Sequence, residues 1–538
     1  MTLIKQLWLP FVIIAIPGVL FSLFLPFFPV DETRYLSVAW EMNLHKSFIV
    51  PLQNALPYSH KPPFLFWLFN LDWLLLGINE VSLRFIPLLF SMFNITLVYK
   101  ISVRLWDDEK IAVYAATILS STLSYLLWSS LIMFDVILTF WILLAIYGFL
   151  SAAENYTFKK SWFLAGLAIG GGILTKGPVI LVYILPVALF SFVWIPREKF
   201  TGRWYAWLLL SLCIGISVVL LWLIPAALTG GETYRNAILW GQTVNRMAKS
   251  FAHQRPLWWY LPWILALLLP WILVKPVWCG WSQLKQDSGS RFLAVWIVPS
   301  FVILSLLSGK QVHYLIPLLP AFSLLMAKNI VSGDAIGKST SWHYPVAAFY
   351  CLLGIAVFVL TFLKSNNFIE DFGVMGARSL AFGLIAVGII LYFVKNKSSA
   401  GFVTTVAVSS VAFFVLIVFS GQAFFARYDI LAISQLLHEK QKDGFTILHS
   451  GKYHGQFHFI GRLTQPLVAL GNNKEISEYA ASHEKIALIT YEPRNKSIKE
   501  EDIYFQQPFR NRTVVLWNKK GIAELSTFKE ESMVQETE

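Results

Sequence analysis

The sequence predicts a polytopic α-helical membrane protein with a small α/β domain at its C-terminus. Three observations carry that expectation. Of 538 residues, 56% are hydrophobic and only 14% are charged, against roughly 25% charged in an ordinary soluble domain. Phe, Trp and Tyr make up 16% of the chain and mean hydropathy is +0.60. Apolar stretches recur along most of the chain, each near the ~20 residues that a spanning helix needs. This composition excludes a typical soluble enzyme, a disordered protein and a fibrous repeat.

Thirteen spans are expected, at about 8–28, 82–104, 111–128, 131–150, 162–175, 177–195, 204–228, 257–275, 292–308, 311–330, 344–364, 378–394 and 401–420. The first could be mistaken for a signal peptide. Its apolar run is too long and lacks a small-x-small cleavage site. Residues 162–195 form either a hairpin or one long tilted helix. Gly170, Gly171, Gly172, Gly177 and Pro178 favour the hairpin, because they interrupt the middle.

Charge sets the topology. The net charge is +12 and the pI about 9.4. With the N-terminus inside, alternate connections carry Arg104 and Lys110, then Lys159 and Lys160, then Arg197, Lys199 and Arg203. Lys275, Lys285 and Arg291 follow, then Lys328 and Lys338, then Lys395 and Lys397. That is a consistent positive-inside pattern, and merging spans five and six would invert everything after them. No basic cluster alternates with stacking aromatics, so nucleic acid is not an expected partner. Cys213, Cys279 and Cys351 lie far apart, which indicates neither a disulfide framework nor a cysteine zinc site.

This topology places three segments outside. Residues 29–81 hold FPVDETRY and SHKPPFLFWLF, with 63–76 expected as a helix lying on the membrane surface. Residues 229–256 end in a polar stretch running into SFAHQRPLWWY. A transmembrane domain over 1–424 then gives way to a C-terminal domain over 425–538, where charge rises sharply. There FTILHSG, KIALITYEP and RTVVLWN read as short strands, and the acidic last dozen residues as a frayed end.

The candidate chemical residues lie at the outer face. Asp31 and Glu32 follow the first span directly, where two adjacent acids either act or mark a solvated helix end. Arg34 shares a helical face with Asp31. In His60-Lys61-Pro62-Pro63 the prolines fix the backbone, so Lys61 either holds a phosphate as a point charge or snorkels to water. Asp135 lies in the apolar context SSLIMFDVILTFW, where an isolated acid points to a functional site or an ion pair. Its partner is Arg84 or Lys176. Lys176 and Lys310 both sit at outward turns, with His313 and Tyr314 after Lys310. His253, Arg255, Trp258, Trp259 and Tyr260 close the second outer loop, the aromatics as an interfacial belt.

Together, acids and cations converging on one face suit a reaction between a lipid-linked phosphate and an outer acceptor. Cations would stabilise the phosphate as leaving group, and a carboxylate would take the acceptor proton. A flippase for a lipid-linked sugar would instead place ionisable groups near mid-membrane and show internal repeats. A structural subunit would leave DETRY and HKPP unexplained.

DETRY, HKPP, EVSLRF, the FD of span four and LTKG resemble the membrane glycosyltransferases of the protein O-mannosyltransferase superfamily (GT-C fold, family 39). Within it they are most similar to the bacterial branch that transfers 4-amino-4-deoxy-L-arabinose from undecaprenyl phosphate to lipid A. That branch reads DE-x-RY, EKPP, VRxP, LTKG and a YYLP-type segment; here the strings are DETRY, HKPP, LRFIP, LTKG and WYLP. The resemblance covers about residues 1–330 and the tail only as architecture. It implies an inner-membrane enzyme with an outward site and a polyprenyl-phosphate-sugar donor. The acceptor would be lipid A, another envelope glycan or a protein. Asp31 matches the acid/base, with Glu32 beside it, Arg34 and Lys61 match residues that engage the lipid phosphate, and Asp135 matches a second carboxylate. Arg84, Lys176 and Lys310 are further candidates for the phosphate. No nucleotide or other cofactor is required for the chemistry. In the arabinose branch a Glu precedes Lys-Pro-Pro and belongs to a metal cluster; here that position is His60. A histidine can replace Glu on zinc, with His253 as second ligand and His454 or His458 as third. Otherwise His60 only packs or hydrogen-bonds.

Overall fold

The computed structural model describes residues 3–154, 159–241, 254–279, 287–334, 341–363, 367–396 and 398–525. In chain order the first elements are α1 (Leu3–Phe24), α2 (Asp31–Leu44), a hairpin of β1 (Leu52–Gln53) and β2 (Leu56–Pro57), and α3 (Phe64–Leu76). Then come α4 (Phe85–Trp106), α5 (Glu109–Ser121), α6 (Leu123–Ser130), α7 (Phe134–Glu154), α8 (Lys159–Lys176) and α9 (Ile180–Leu189). Among the described residues eight helices are long and apolar enough to cross a membrane, or nine if α5 and α6, bent by 64° at Thr122, count as one span.

The chain divides into two compact units. The first comprises 1–24, 59–65 and 75–421; the second comprises 25–58, 66–74 and 422–538. The first unit is a helical bundle. α7 packs on α8, α8 on Arg203–Thr229, and Tyr344–Leu360 on Val374–Phe393. The hairpin expectation for 162–195 holds as two helices, but its stated cause needs correction. Gly170, Gly171 and Gly172 lie inside α8, which ends only at Lys176, before Gly177 at φ +78° and Pro178. Gly170 serves packing instead: a Cβ there would stand 2.7 Å from Val218 Cβ and 3.0 Å from the Gly215 carbonyl oxygen. Small residues let neighbouring backbones approach inside a membrane, where no hydrophobic effect drives them together.

The continuous span expected over 257–275 is also corrected. It is broken into Leu257–Trp259, Tyr260–Leu267, Trp271–Leu273 and Lys275–Cys279. Pro270 and Pro276 have no N–H to continue a helix, and each clashes with the preceding turn. The first span runs Leu3–Phe24 rather than 8–28, stopping before Pro26. Lys285, Lys338, Lys397, the middle of the 229–256 loop and the acidic tail lie outside the described residues.

In the second unit the C-terminal residues form a five-stranded sheet of order β4-β3-β5-β7-β6. The expected strands are present as β3 (Thr446–Ser450), β5 (Ile486–Pro493) and β7 (Arg512–Trp517), joined by β4 (Val468–Leu470) and β6 (Ile503–Phe509). β3 runs parallel to β4 and β5, and β7 antiparallel to β5 and β6. Alternation divides the strands between two faces. Ile447, Ala487, Ile489, Val514 and Leu516 pack with Ile433 and Leu437 of helix Leu431–Lys442. Leu448, Ile486, Leu488, Val515 and Trp517 pack with Ile476 and Ala480 of helix Asn473–Ser482.

Two buried histidines make this unit sensitive to acid. Burial pulls the His449 pKa down to about 4 and that of His458 to about 3, below the ~6.5 of an unfolded imidazole. The unfolded chain therefore binds more protons below pH ~6.5, and stability is complete above that value and lost as pH falls towards 4 and 3. At pH 5 each histidine accounts for about 2 kcal/mol. Hydrogen exchange of β3 and β5, corrected for intrinsic rate, should show faster opening at pH 5 than at pH 7. Equal protection at both would contradict this.

Candidate active site

The expected site residues fall in both units. In the second unit, Asp31 and Glu32 form the first turn of α2, where their charges complement the helix dipole. The two side chains do different things. Glu32 is 2% exposed and its Oε2 accepts the Phe28 N–H at 2.8 Å, closing the turn that leads into the helix. Asp31 keeps 52% of its side chain exposed. Its Oδ1 accepts Arg34 Nη2 at 2.5 Å and the Tyr35 hydroxyl at 3.2 Å. Arg34 follows Asp31 by three residues and Tyr35 by four, so one helical turn brings all three together. Oδ2 stays open among the described residues. Burial works against the Arg34 cation, but Tyr35, Tyr58 and Asp31 outweigh it and hold its pKa above the ordinary value. Its Nε is buried with no hydrogen-bond partner among the described residues. Such a donor suits an anionic ligand, because a buried N–H left unmade is costly.

In the first unit, α7 and α8 are antiparallel neighbours, so the start of one meets the end of the other. Asp135 lies in the first turn of α7, and Lys176 is the last residue of α8. Each charge complements the dipole of its own helix. Lys176 Nζ lies 2.6 Å from Asp135 Oδ1, with side chains 7% and 2% exposed. Of the two partners left open for Asp135, Lys176 makes the ion pair. Lys176 Nζ also stands 4.9 Å from the Tyr314 ring centroid. The Tyr183 hydroxyl donates to the Tyr314 carbonyl at 2.7 Å, and that of Tyr260 to the Gln311 carbonyl at 3.2 Å. Lys61 Nζ lies 5.7 Å from the ring of Phe134, beside Asp135. One buried carboxylate thus meets Lys176, with the Lys61 ammonium over the neighbouring Phe134 ring, and this surplus of cations suits a bound anion.

Two candidate cations are engaged elsewhere in this unit. Arg84 is 1% exposed and donates to the Phe21 carbonyl at 2.7 Å, near the end of α1. Lys310 is 2% exposed and donates to the carbonyls of Leu307 at 2.5 Å and Arg255 at 3.0 Å. Burial lowers its pKa. It ties the 308–310 turn to Gln254 and Arg255, which pair with it as a short bridge.

His60 is exposed, and His253 lies outside the described residues. His458 is buried and its Nδ1 faces the Tyr453 hydroxyl at 2.8 Å. His454 is 9% exposed, and its carbonyl accepts Gln53 Nε2. Among the described residues no three His, Cys, Asp or Glu side chains form a metal-holding group. Sequence reasoning gave no role to Tyr35, Tyr58, Tyr183 or Tyr314. The Tyr of DETRY was the visible signal for the first.

Residues 60–224 match the family model described as dolichyl-phosphate-mannose-protein mannosyltransferase. That stretch includes Lys61, Asp135 and Lys176 but not Asp31. The chain is 29% identical over 335 residues to the undecaprenyl phosphate-alpha-4-amino-4-deoxy-L-arabinose arabinosyl transferase of Enterobacter sp. (strain 638), covering 60% of this chain and 59% of that one. It is 30% identical over 382 residues to the transferase of the same name from Erwinia tasmaniensis, covering 68% and 63%. The chain thus spans about three fifths of the length of the curated relatives it matches first. The crystal structure of ArnT from Cupriavidus metallidurans bound to undecaprenyl phosphate aligns with a TM-score of 0.75 at 17% identity, covering 96% of this chain and 98% of that one. The chain has the GT-C fold of that structure, and its sequence resembles the arabinosyl transferase branch.

Proposed function

We propose that this protein is a membrane glycosyltransferase. It moves a sugar from a polyprenyl-phosphate donor to a cell-envelope acceptor (lipid A, another glycan or a protein) by inverting displacement. The observation that carries the reading is the start of α2. A half-exposed carboxylate, Asp31, is oriented by Arg34 and Tyr35, and Arg34 keeps a buried N–H available for an anion. The relatives' names supply the donor class, and the motif resemblance makes lipid A the first acceptor to test.

In this reading Asp31 accepts the proton of the acceptor hydroxyl as its oxygen attacks the anomeric carbon. The bond from that carbon to the phosphate oxygen breaks, and polyprenyl phosphate leaves with the electron pair. Arg34 is the second unit's candidate for stabilising its developing charge, and Lys61 and Lys176 are the first unit's candidates. Asp135 would hold Lys176 in place through their 2.6 Å contact. Glu32 would support the turn rather than exchange protons, and Arg84 and Lys310 would act through the backbone carbonyls they bind. The reading requires no metal. A divalent ion such as zinc at His60 and His253 would be an addition to it.

The same reading places the protein in a bacterial inner membrane, with its site and its 425–538 domain in the periplasm and the membrane domain over 1–424. It counts thirteen crossings: the eight long helices, the bent pair, and the shorter segments 159–176, 180–194, 257–279 and 344–360. Short and broken segments are tolerated at membrane depth where neighbouring protein satisfies their backbone groups.

Mass spectrometry of envelope lipids and glycans tests the function in a deletion strain complemented with wild type, Lys61→Ala or Lys61→Arg. Wild type should restore one defined sugar on one acceptor. Lys61→Ala should lower that product at least ~10-fold, and Lys61→Arg should not restore it fully, because a planar guanidinium does not replace a compact ammonium. Wild-type levels in both variants would remove Lys61 from the phosphate site. Lipid-linked sugar accumulating on one leaflet, with no glycan change, would make the protein a flippase.

A further inference from the structure

We propose that Asn54, Glu41 and Trp40 are positioning residues. They seat the helix bearing Asp31 on residues 453–467, so the C-terminal sheet orients the base. This rests on the reading of Asp31 given above. All the groups involved lie in the second unit.

The connection begins at the two-residue turn between β1 and β2, where Gln53 pairs with Leu56. Asn54 and Ala55 have φ of 53° and 61°, the positive pair that matches hairpin twist. Asn tolerates that conformation, whereas an Ala Cβ is strained in it. Glu41 of α2 compensates. Its Oε1 accepts the Asn54 N–H at 2.5 Å and its Oε2 the Ala55 N–H at 2.7 Å. Two successive N–H groups of a turn form a cradle for a carboxylate. Glu41 is 1% exposed, so helix and hairpin move as one piece.

That piece is fastened to the segment between β3 and β4. Asn54 Nδ2 donates to the Leu467 carbonyl at 2.8 Å, and Asn54 Oδ1 accepts the Leu467 N–H at 2.8 Å. One side-chain amide thus completes a reciprocal pair with one backbone residue. Trp40 Nε1 donates to the Leu463 carbonyl at 2.8 Å, and Gln53 Nε2 to the His454 carbonyl at 2.6 Å. Gly455, at φ +81°, lets the segment lie flat on α2: a Cβ there would stand 2.5 Å from Ser37 Oγ. The entry to α2 rests on C-terminal residues as well, because Phe28 meets the rings of Phe425 and Tyr428.

The length of α2 sets the size of the effect. Asp31 and Glu41 are ten residues apart on one helix, about 15 Å along its axis. A tilt of about 4° at the Glu41 end moves Asp31 by about 1 Å, and a displacement of that size can lower a rate about 10²-fold. Loss of the ties should therefore reduce kcat without weakening donor binding.

The test uses full-length protein in proteoliposomes, with undecaprenyl phosphate-linked 4-amino-4-deoxy-L-arabinose as donor and lipid A as acceptor. Asn54→Gly keeps the turn and both N–H groups for Glu41 and removes only the bonds to Leu467. Trp40→Phe removes the second tie and keeps the ring, and serves if Asn54→Gly does not fold. The expected result is a ~10- to 100-fold fall in kcat with donor KM within ~3-fold of wild type, and faster hydrogen exchange over residues 31–44. Wild-type kcat in a folded variant, or a raised KM with unchanged kcat, would overturn the proposal. If Asp31→Asn is inactive while both tie variants match wild type, only the positioning claim fails. If wild type itself turns nothing over, the functional reading fails for that donor. The exchange over 31–44 then decides the seat alone, and unchanged protection would overturn it.

Discussion

Asp31→Asn is expected to lower kcat by at least ~10³-fold while the protein folds and binds its donor nearly as before. A positioned general base contributes typically 10²–10⁴-fold, and an amide cannot take the proton. The structural effect is small. Asp31 is half exposed, and an exposed ion pair such as that with Arg34 contributes about 0–1 kcal/mol. Its favourable placement at the start of α2 adds about 0.3–1 kcal/mol. The near-isosteric amide retains an oxygen to accept from Arg34 and Tyr35. Thermal unfolding within a few degrees of wild type, with turnover gone, is the expected pair of results. Full turnover in the variant would assign the base elsewhere.

The second large effect is expected at Asp135 and Lys176. Their 2.6 Å pair is almost fully buried. Removing one partner leaves the other charge uncompensated, which costs about 3–5 kcal/mol. Asp135→Asn and Lys176→Met should each lower the unfolding temperature markedly. The double variant should recover most of that loss, since replacing both members of a buried pair is often close to neutral. Activity should not recover with it, because the Lys176 ammonium beside Tyr314 is part of the proposed anion site. A double variant that regains both stability and turnover would make the pair purely structural.

The membrane class and the tail domain were legible because both rest on local patterns. Long apolar runs marked most spans, and alternation marked β3, β5 and β7. Asp31 and Arg34 were legible as a helical i, i+3 pair, and Asp135 as a lone acid in an apolar run. Two of the corrections concern residues whose effect an average over apolar runs does not show. Gly170, Gly171 and Gly172 looked like breaks, yet they lie inside α8 and admit close neighbours there: Arg203–Thr229 at Gly170, Trp141 at Gly171 and Ile180 at Gly172. The 257–279 segment is apolar except for Lys275, but its prolines divide it. The ties between Asn54 and Leu467, and between Trp40 and Leu463, join residues more than 400 positions apart. No local period encodes such a pair. Arg84 and Lys310 looked like free cations for the same reason, since only the fold supplies the carbonyls that bind them.

The most direct test is a single-turnover measurement on purified protein in proteoliposomes. It follows undecaprenyl phosphate release and lipid A glycosylation together, for wild type and Asp31→Asn. Wild type should release one polyprenyl phosphate for each sugar transferred, with none of either from Asp31→Asn despite retained donor binding. Donor carried across the bilayer with its sugar still attached, or equal transfer by Asp31→Asn, would contradict the account.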